Sequence, residues 1–139
     1  MNRFNKIIQD IKSIKIQGAT AIAKKGAEAF LLRANHYSLG KILNSRPTEP
    51  LLQNTLLFLS KSKNKKKDTK KFFSYLEKSN KKIAISGEKL IKNEMNIYSH
   101  CHSSTVIEII KRAKKKGKNF VVYTSEVQPL LQGEKTAKE

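Results

Sequence analysis

The sequence predicts an α/β protein: an amino-terminal helical module over residues 1–93, then the opening of a parallel sheet over 94–139. Three observations carry this. Apolar residues recur at three- and four-residue spacing along most of the first 93 positions, the signature of amphipathic helices. Past Asn93 the pattern changes to short strand, polar turn, helix and second strand. Two strands joined through a helix are parallel, and a sheet of two strands is rarely stable alone.

The first helix is expected over 2–15, where Phe4, Ile7, Ile8, Ile11 and Ile14 form one stripe. Ile16 to Ala19 interrupts it. The second helix runs from 19 to 34 with a small inner face of Ala19, Ile22, Ala23, Gly26, Ala27 and Phe30. Small residues let helices approach closely, which predicts a central place in a bundle. Leu39, Ile42 and Leu43 mark a short helical piece, broken at Ser45 to Pro50 because two prolines cannot lie in a helix interior. Thr48 is the expected cap of the next helix, with Pro50 in its first turn and a stripe of Leu51, Leu52, Thr55, Leu56 and Leu59.

The basic segment Ser60 to Asp68 reads as a solvated loop. Asp68 or Thr69 is the expected cap of a long helix through about Asn93, buried along Phe72, Phe73, Leu76, Ile83, Leu90 and Ile91. Ile97 to His100 follows as a strand. Val106, Ile107, Ile109, Ile110 and Ala113 stripe the next helix, whose basic carboxyl end suits the helix dipole and which Gly117 stops. Phe120 to Tyr123 is a continuous apolar run, expected as a buried strand. Gln132 opens one more helix, and there the sheet is expected to be unfinished.

Composition narrows the function classes. The single cysteine excludes an internal disulfide, so nothing points to secretion. No apolar run approaches the ~20 residues of a membrane span, and the expected location is the cytoplasm. Lysine and arginine number 29 against 11 acidic residues, a formal charge of +18. That surplus favours polyanion partners such as RNA, nucleotides or sugar phosphates.

Four segments resemble those of a known family. Asp10-Ile11-Lys12-Ser13 through Gln17-Gly18-Ala19 is similar to a first-helix motif ending in Arg-Gly-Ala, and Ser45-Arg46-Pro47-Thr48 to an Arg-Pro-Thr motif. Ser99 to Ser104 resembles a Thr-His-Cys-Asn-Ser-Ser turn. Glu126 to Glu139 resembles a Glu-Thr-Arg-Pro segment that continues through Gln-Gly and Thr-Ala to a final Glu. In this order and spacing they resemble the archaeal ribose-1,5-bisphosphate isomerases. The regulatory alpha, beta and delta subunits of translation initiation factor 2B and the methylthioribose-1-phosphate isomerases are relatives. The resemblance covers the whole chain but only the amino-terminal half of a typical member. It implies an amino-terminal helical domain and the start of a Rossmann-like domain. It further implies assembly as homo-oligomers and makes initiation factor subunits possible partners; the unfinished sheet adds the expectation of a second chain that supplies the rest of that domain, and the basic charge that of RNA.

The resemblance also implies roles for single residues. Cys101 matches a catalytic acid or base that works with an aspartate in the second half of the Rossmann-like domain. Together they move hydrogen between C1 and C2 of a sugar phosphate. On its own chemistry Cys101 is a thiol beside a helix amino terminus, where anions are favoured, or else a small apolar core residue. Phosphate binding is implied for Gln17, Gly18, Ala19, Arg46, Ser103, Ser104, Gln128, Gln132 and Gly133, with a sugar phosphate or nucleotide as ligand. Ser103 and Ser104 equally suit plain helix capping, and Arg46 an exposed turn. His100-Cys101-His102 is not expected to bind metal, since consecutive residues diverge, and no cofactor is expected.

Two departures stand out. Gln17 and Gln128 occupy positions where many of these isomerases carry arginine, and charge-assisted hydrogen bonds are about twice as strong as neutral ones. No acidic residue here takes the place of the partner aspartate. The chain alone is therefore expected to leave the isomerase site incomplete, and its alternative is a non-catalytic regulatory subunit that binds nucleotide or RNA.

Overall fold

The computed structural model describes residues 1–139 as seven helices and two parallel strands, an α/β chain that divides into two compact units, Met1–Tyr75 and Leu76–Glu139. No helix is long and apolar enough to cross a membrane.

The first unit is a helical bundle. Helix α1 (Arg3–Lys12) starts where Asn2 Oδ1 accepts from Asn5 N at 2.9 Å, and it buries Phe4, Ile7 and Ile11. It is shorter than its stripe suggested. Ser13 caps it and Ile14 turns into the left-handed region at φ 61°, half-exposed, so the stripe ends at Ile11. Helix α2 (Ala19–Leu32) takes the central place its small face predicts. Ala23 and Ala27 are fully buried, and a Cβ on Gly26 would sit 2.2 Å from Leu52 Cδ1 of α4 (Pro50–Lys61). Helix α3 (His36–Leu43) begins earlier than its leucines indicate, because Asn35 caps it through Ser38 N at 2.9 Å. Pro50 opens α4 as expected, but Glu49 rather than Thr48 stands at the cap position. Ile42, Leu52, Leu56 and Leu59 complete the core.

Helix α5 (Lys65–Glu88) corrects two expectations. Its cap is Asn64, whose Oδ1 accepts from Lys67 N at 3.1 Å, and so the basic segment is divided between helices, Ser60 and Lys61 in α4 and Lys65–Asp68 in α5, with only residues 62–64 left as loop. Its carboxyl end comes at Glu88, not near Asn93. Ile83 and Leu90 are exposed, at 47% and 74%; the buried face there runs through Ala84, Glu88 and Ile91. The reason lies in the second unit. Glu88 is 2% exposed and pairs with Lys116 Nζ and Lys118 Nζ, both at 2.7 Å. Lys118 Nζ also donates to the carbonyls of Glu88 (2.6 Å) and Ile91 (2.7 Å), satisfying acceptors that a helix end leaves open. Apolar periodicity cannot register a buried carboxylate held by lysines far along the chain.

In the second unit β1 (Asn96–Ser99) pairs in parallel with β2 (Val121–Thr124), joined by α6 (Ser104–Lys115). The register sets Asn96 beside Val121, Tyr98 beside Tyr123 and Ser99 beside Thr124. The second strand is not the buried run expected from its composition. Tyr98, Val121 and Tyr123 share one face and are 68%, 51% and 56% exposed, while Ser99 on the other face is 6% exposed. Helix α7 (Gln132–Lys138) closes the unit against β2.

Candidate functional site

Parallel strands bring their carboxyl ends to one edge, the usual position of ligand sites in open α/β sheets. Here that edge gathers the Ser99–Ser104 turn, the Ser125–Gln132 segment and α7. The ladder ends with Ser125 N donating to Ser99 O at 3.2 Å, and His100 Nδ1 lies 2.7 Å from Ser125 Oγ.

Cys101 stands at the bend. Its φ of 60° is left-handed, a conformation that costs a non-glycine residue about 1–3 kcal/mol and persists only where surroundings enforce it. Helix α7 supplies the enforcement. Gln132 Oε1 accepts from His102 N at 3.3 Å. Thr136 Oγ1 donates to Gln132 O at 2.9 Å and stands 3.2 Å from His102 Nδ1 and 3.4 Å from Cys101 O. Cys101 is half-buried, neither sealed in the core nor free in solvent. One residue pair further, Ser103 caps α6 by accepting from Val106 N at 3.5 Å, while Ser104 stands exposed in the first turn.

The segment after β2 is ordered by Glu126. Its Oε1 accepts from Val127 N (2.6 Å) and Gly133 N (3.1 Å), and its Oε2 from Glu134 N (3.0 Å). A carboxylate thus occupies the anion position at the start of α7. Desolvation pushes the Glu126 carboxyl up, and the N–H groups of Val127, Glu134 and Gly133 more than offset it, holding it below the usual carboxylate range. Gly133 is needed for closeness: a Cβ there would lie 2.4 Å from Ser125 O. Its N–H is taken by Glu126, and the side chain of Gln132 by His102. Both residues therefore hold the loop together in this arrangement. Gln128, before a cis Pro129, is exposed.

The remaining sequence candidates lie in the first unit. Gln17, Gly18 and Ala19 form the exposed entry to α2, where Gly18 adopts φ 84° with open space around it. Arg46 is half-buried in the turn after α3, its backbone N–H bonded to Leu43 O at 3.3 Å and its carbonyl to Glu49 N at 3.2 Å. The second unit thus brings together Cys101, Ser103, Ser104, Gln132 and Gly133. Sequence reasoning weighed His102 only as a metal ligand and met Glu126 and Thr136 only as parts of a motif, so it missed their roles in holding the turn. The available signal was an acidic residue several positions ahead of a helix start with glycine at its second position.

A family profile, the initiation factor 2 subunit family, matches residues 15–139. The chain belongs to this family. A Pyrococcus furiosus protein named as translation initiation factor eIF-2B subunit 2-like is 34% identical over 142 aligned positions, covering 92% of this chain and 51% of that protein. A ribose 1,5-bisphosphate isomerase of Archaeoglobus fulgidus is 29% identical over 151 positions, covering 94% of this chain and 48% of the enzyme. Among solved structures, the Pyrococcus horikoshii translation initiation factor eIF-2B superposes with a TM-score of 0.80 at 28% identity, over 99% of this chain and 55% of that one. The tetrameric eIF2B-beta2-delta2 complex of Chaetomium thermophilum shares the fold at a TM-score of 0.71 and 15% identity. The chain spans about half the length of the relatives it matches.

Proposed function

We propose that this family member carries the Cys101 half of a sugar-phosphate isomerase site, in the lineage that converts ribose 1,5-bisphosphate to ribulose 1,5-bisphosphate. Residues 1–93 then serve as the helical domain and 94–139 as the start of the Rossmann-like domain. The observation that carries the reading is the enforced left-handed turn at Cys101, which sets this half-buried cysteine at the carboxyl edge of the strands just ahead of α6. Strain of this kind clusters where function needs it. In the reaction the C2 carbon is oxidised and C1 reduced, a hydrogen passing from C2 to C1 as the ring opens. Cys101 and a carboxylate from the part of the Rossmann-like domain outside these 139 residues carry that transfer: the C2 hydrogen leaves as a proton and C1 is reprotonated, while the C2 hydroxyl proton passes to the ring oxygen released from C1. Ser103 and Ser104 contribute phosphate donors, and the place of action is the cytoplasm.

The test is turnover. The chain is captured from native lysate with its stoichiometric partner and given ribose 1,5-bisphosphate. Ribulose 1,5-bisphosphate formation that Cys101→Ala abolishes, with substrate binding retained, is the expected result. A folded complex without turnover would overturn the reading.

A second reading has its own support. Gln17 and Gln128 are exposed and uncharged where a bisphosphate clamp would be cationic, and the chain carries +18. They suit a non-catalytic subunit, similar to those of initiation factor 2B, that binds nucleotide or RNA. RNA affinity that falls steeply with salt, with no isomerase turnover, would favour it.

A further inference from the structure

We infer that the start of α5 and the end of α4 form a binding surface for single-stranded RNA, independent of the Cys101 edge. The inference rests on the RNA branch of the second reading and gives it a location. Residues 61–71 contain Lys61, Lys63, Lys65, Lys66, Lys67, Lys70 and Lys71 against one acid, Asp68. Asp68 is engaged by Ser62 Oγ at 2.6 Å, and Lys65 Nζ donates to Ser62 O at 2.9 Å. The other six lysines are exposed, and none forms an ion pair with a carboxylate.

This arrangement works against the helix that holds it. Lys65, Lys66 and Lys67 share the first turn of α5 with one acid, Asp68, so the positive pole of the dipole carries three cations against a single carboxylate. Lys66 and Lys70, like Lys67 and Lys71, sit at four-residue spacing, so like charges face each other. General solubility needs no such placement. An anion with several regularly spaced charges relieves both conflicts at once.

Beside the cluster stands an aromatic pair. Phe58 of α4 is 44% exposed and stacks on Phe72 of α5 with ring centroids 5.3 Å apart and planes at 26°. Lys61 follows Phe58 by one turn and Lys71 adjoins Phe72. Phosphate-binding lysines flanking an exposed ring match the combination that holds unpaired nucleotides, since every base offers a face to stack on. Double-stranded nucleic acid keeps its bases stacked on each other and leaves Phe58 unused.

The test is fluorescence anisotropy of the full chain with a labelled 15-nucleotide RNA and the matching duplex across salt concentrations. Wild-type chain is expected to prefer the single strand. Changing Lys66, Lys67, Lys70 and Lys71 together to alanine is expected to weaken binding by roughly tenfold or more and to lower the slope of log affinity against log salt by about 3. Phe58→Leu keeps an apolar side chain for folding, and is expected to lose roughly 5- to 100-fold in affinity through lost stacking. Unchanged RNA binding by the quadruple variant would overturn this surface while leaving the second reading standing. Equal binding of single strand and duplex with Phe58→Leu neutral would also overturn it. A wild-type chain that binds no RNA, or binds phosphatidylserine vesicles in its place, would sink this surface and the RNA branch with it, leaving the nucleotide branch standing.

Discussion

Cys101 shows how one residue's conformation separates stability from chemistry. The left-handed region costs an L-residue roughly 1–2 kcal/mol, and glycine there gives back part of the gain, about 0.5–1 kcal/mol, as chain entropy. Cys101→Gly is therefore expected to leave Tm unchanged or raise it while removing the thiol, whereas Cys101→Ala keeps the strain; thermal denaturation of both variants checks this. Gly133 behaves oppositely. Its Cβ would meet a backbone oxygen at 2.4 Å, which cannot swing aside, so Gly133→Ala is expected to lose about 1–3 kcal/mol. Hydrogen exchange over residues 125–139 should rise selectively. Glu88 offers a pH test. Hydrogen bonds from Lys116 and then Lys118 hold its carboxyl at about 2, below its ordinary 4.5. A depressed carboxyl stabilises the fold fully above its unfolded value and loses that contribution as pH falls through the folded one. Stability should therefore drop between pH 4.5 and about 2. Glu88→Gln is expected to lower Tm at pH 7 and flatten that slope.

At the scale of elements, caps decide boundaries more than apolar spacing does. Asn2, Asn35, Asn64 and Ser103 each accept a backbone N–H at a helix start. Asn64 moved the start of α5 four or five residues ahead of the cap expected at Asp68 or Thr69, and Asn64→Ala is expected to cost α5 about 0.5–2 kcal/mol, read as faster amide exchange in its first turn. Helix α7 depends still more on its cap. It has seven residues, below the length at which an isolated helix holds together in water, so tertiary bonds must hold it. Glu126 provides two of them, to Gly133 N and Glu134 N, and the α7 contacts in turn fix the Cys101 bend. The helix stripes of α1, α2, α4 and α6 were legible because each buries one side. The α5 face was not, because its anchor is a carboxylate neutralised from residues 116 and 118.

For the whole molecule, charge is the dominant field. A +18 chain of 139 residues repels itself, and the ion pairs at Glu88 and Glu28 compensate only locally. Salt shortens the Debye length from about 30 Å at 0.01 M to about 8 Å at 0.15 M. Tm is therefore expected to rise with ionic strength, the reverse of a fold held by surface salt bridges; a thermal scan in sodium chloride checks the sign.

By itself the sequence determined the class, the helix faces of the bundle, the strand–helix–strand order and the motifs that mark the family, because these are local periodicities and short segments. The tertiary structure alone decided which candidates are engaged. Gln132 and Gly133 are tied to His102 and Glu126, Cys101 is forced into a left-handed bend, and Tyr98 and Tyr123 are left on an open face. These depend on contacts between residues that no helical or strand period links, from seven apart (Glu126 and Gly133) to thirty apart (His102 and Gln132), or on backbone geometry that a linear pattern does not encode.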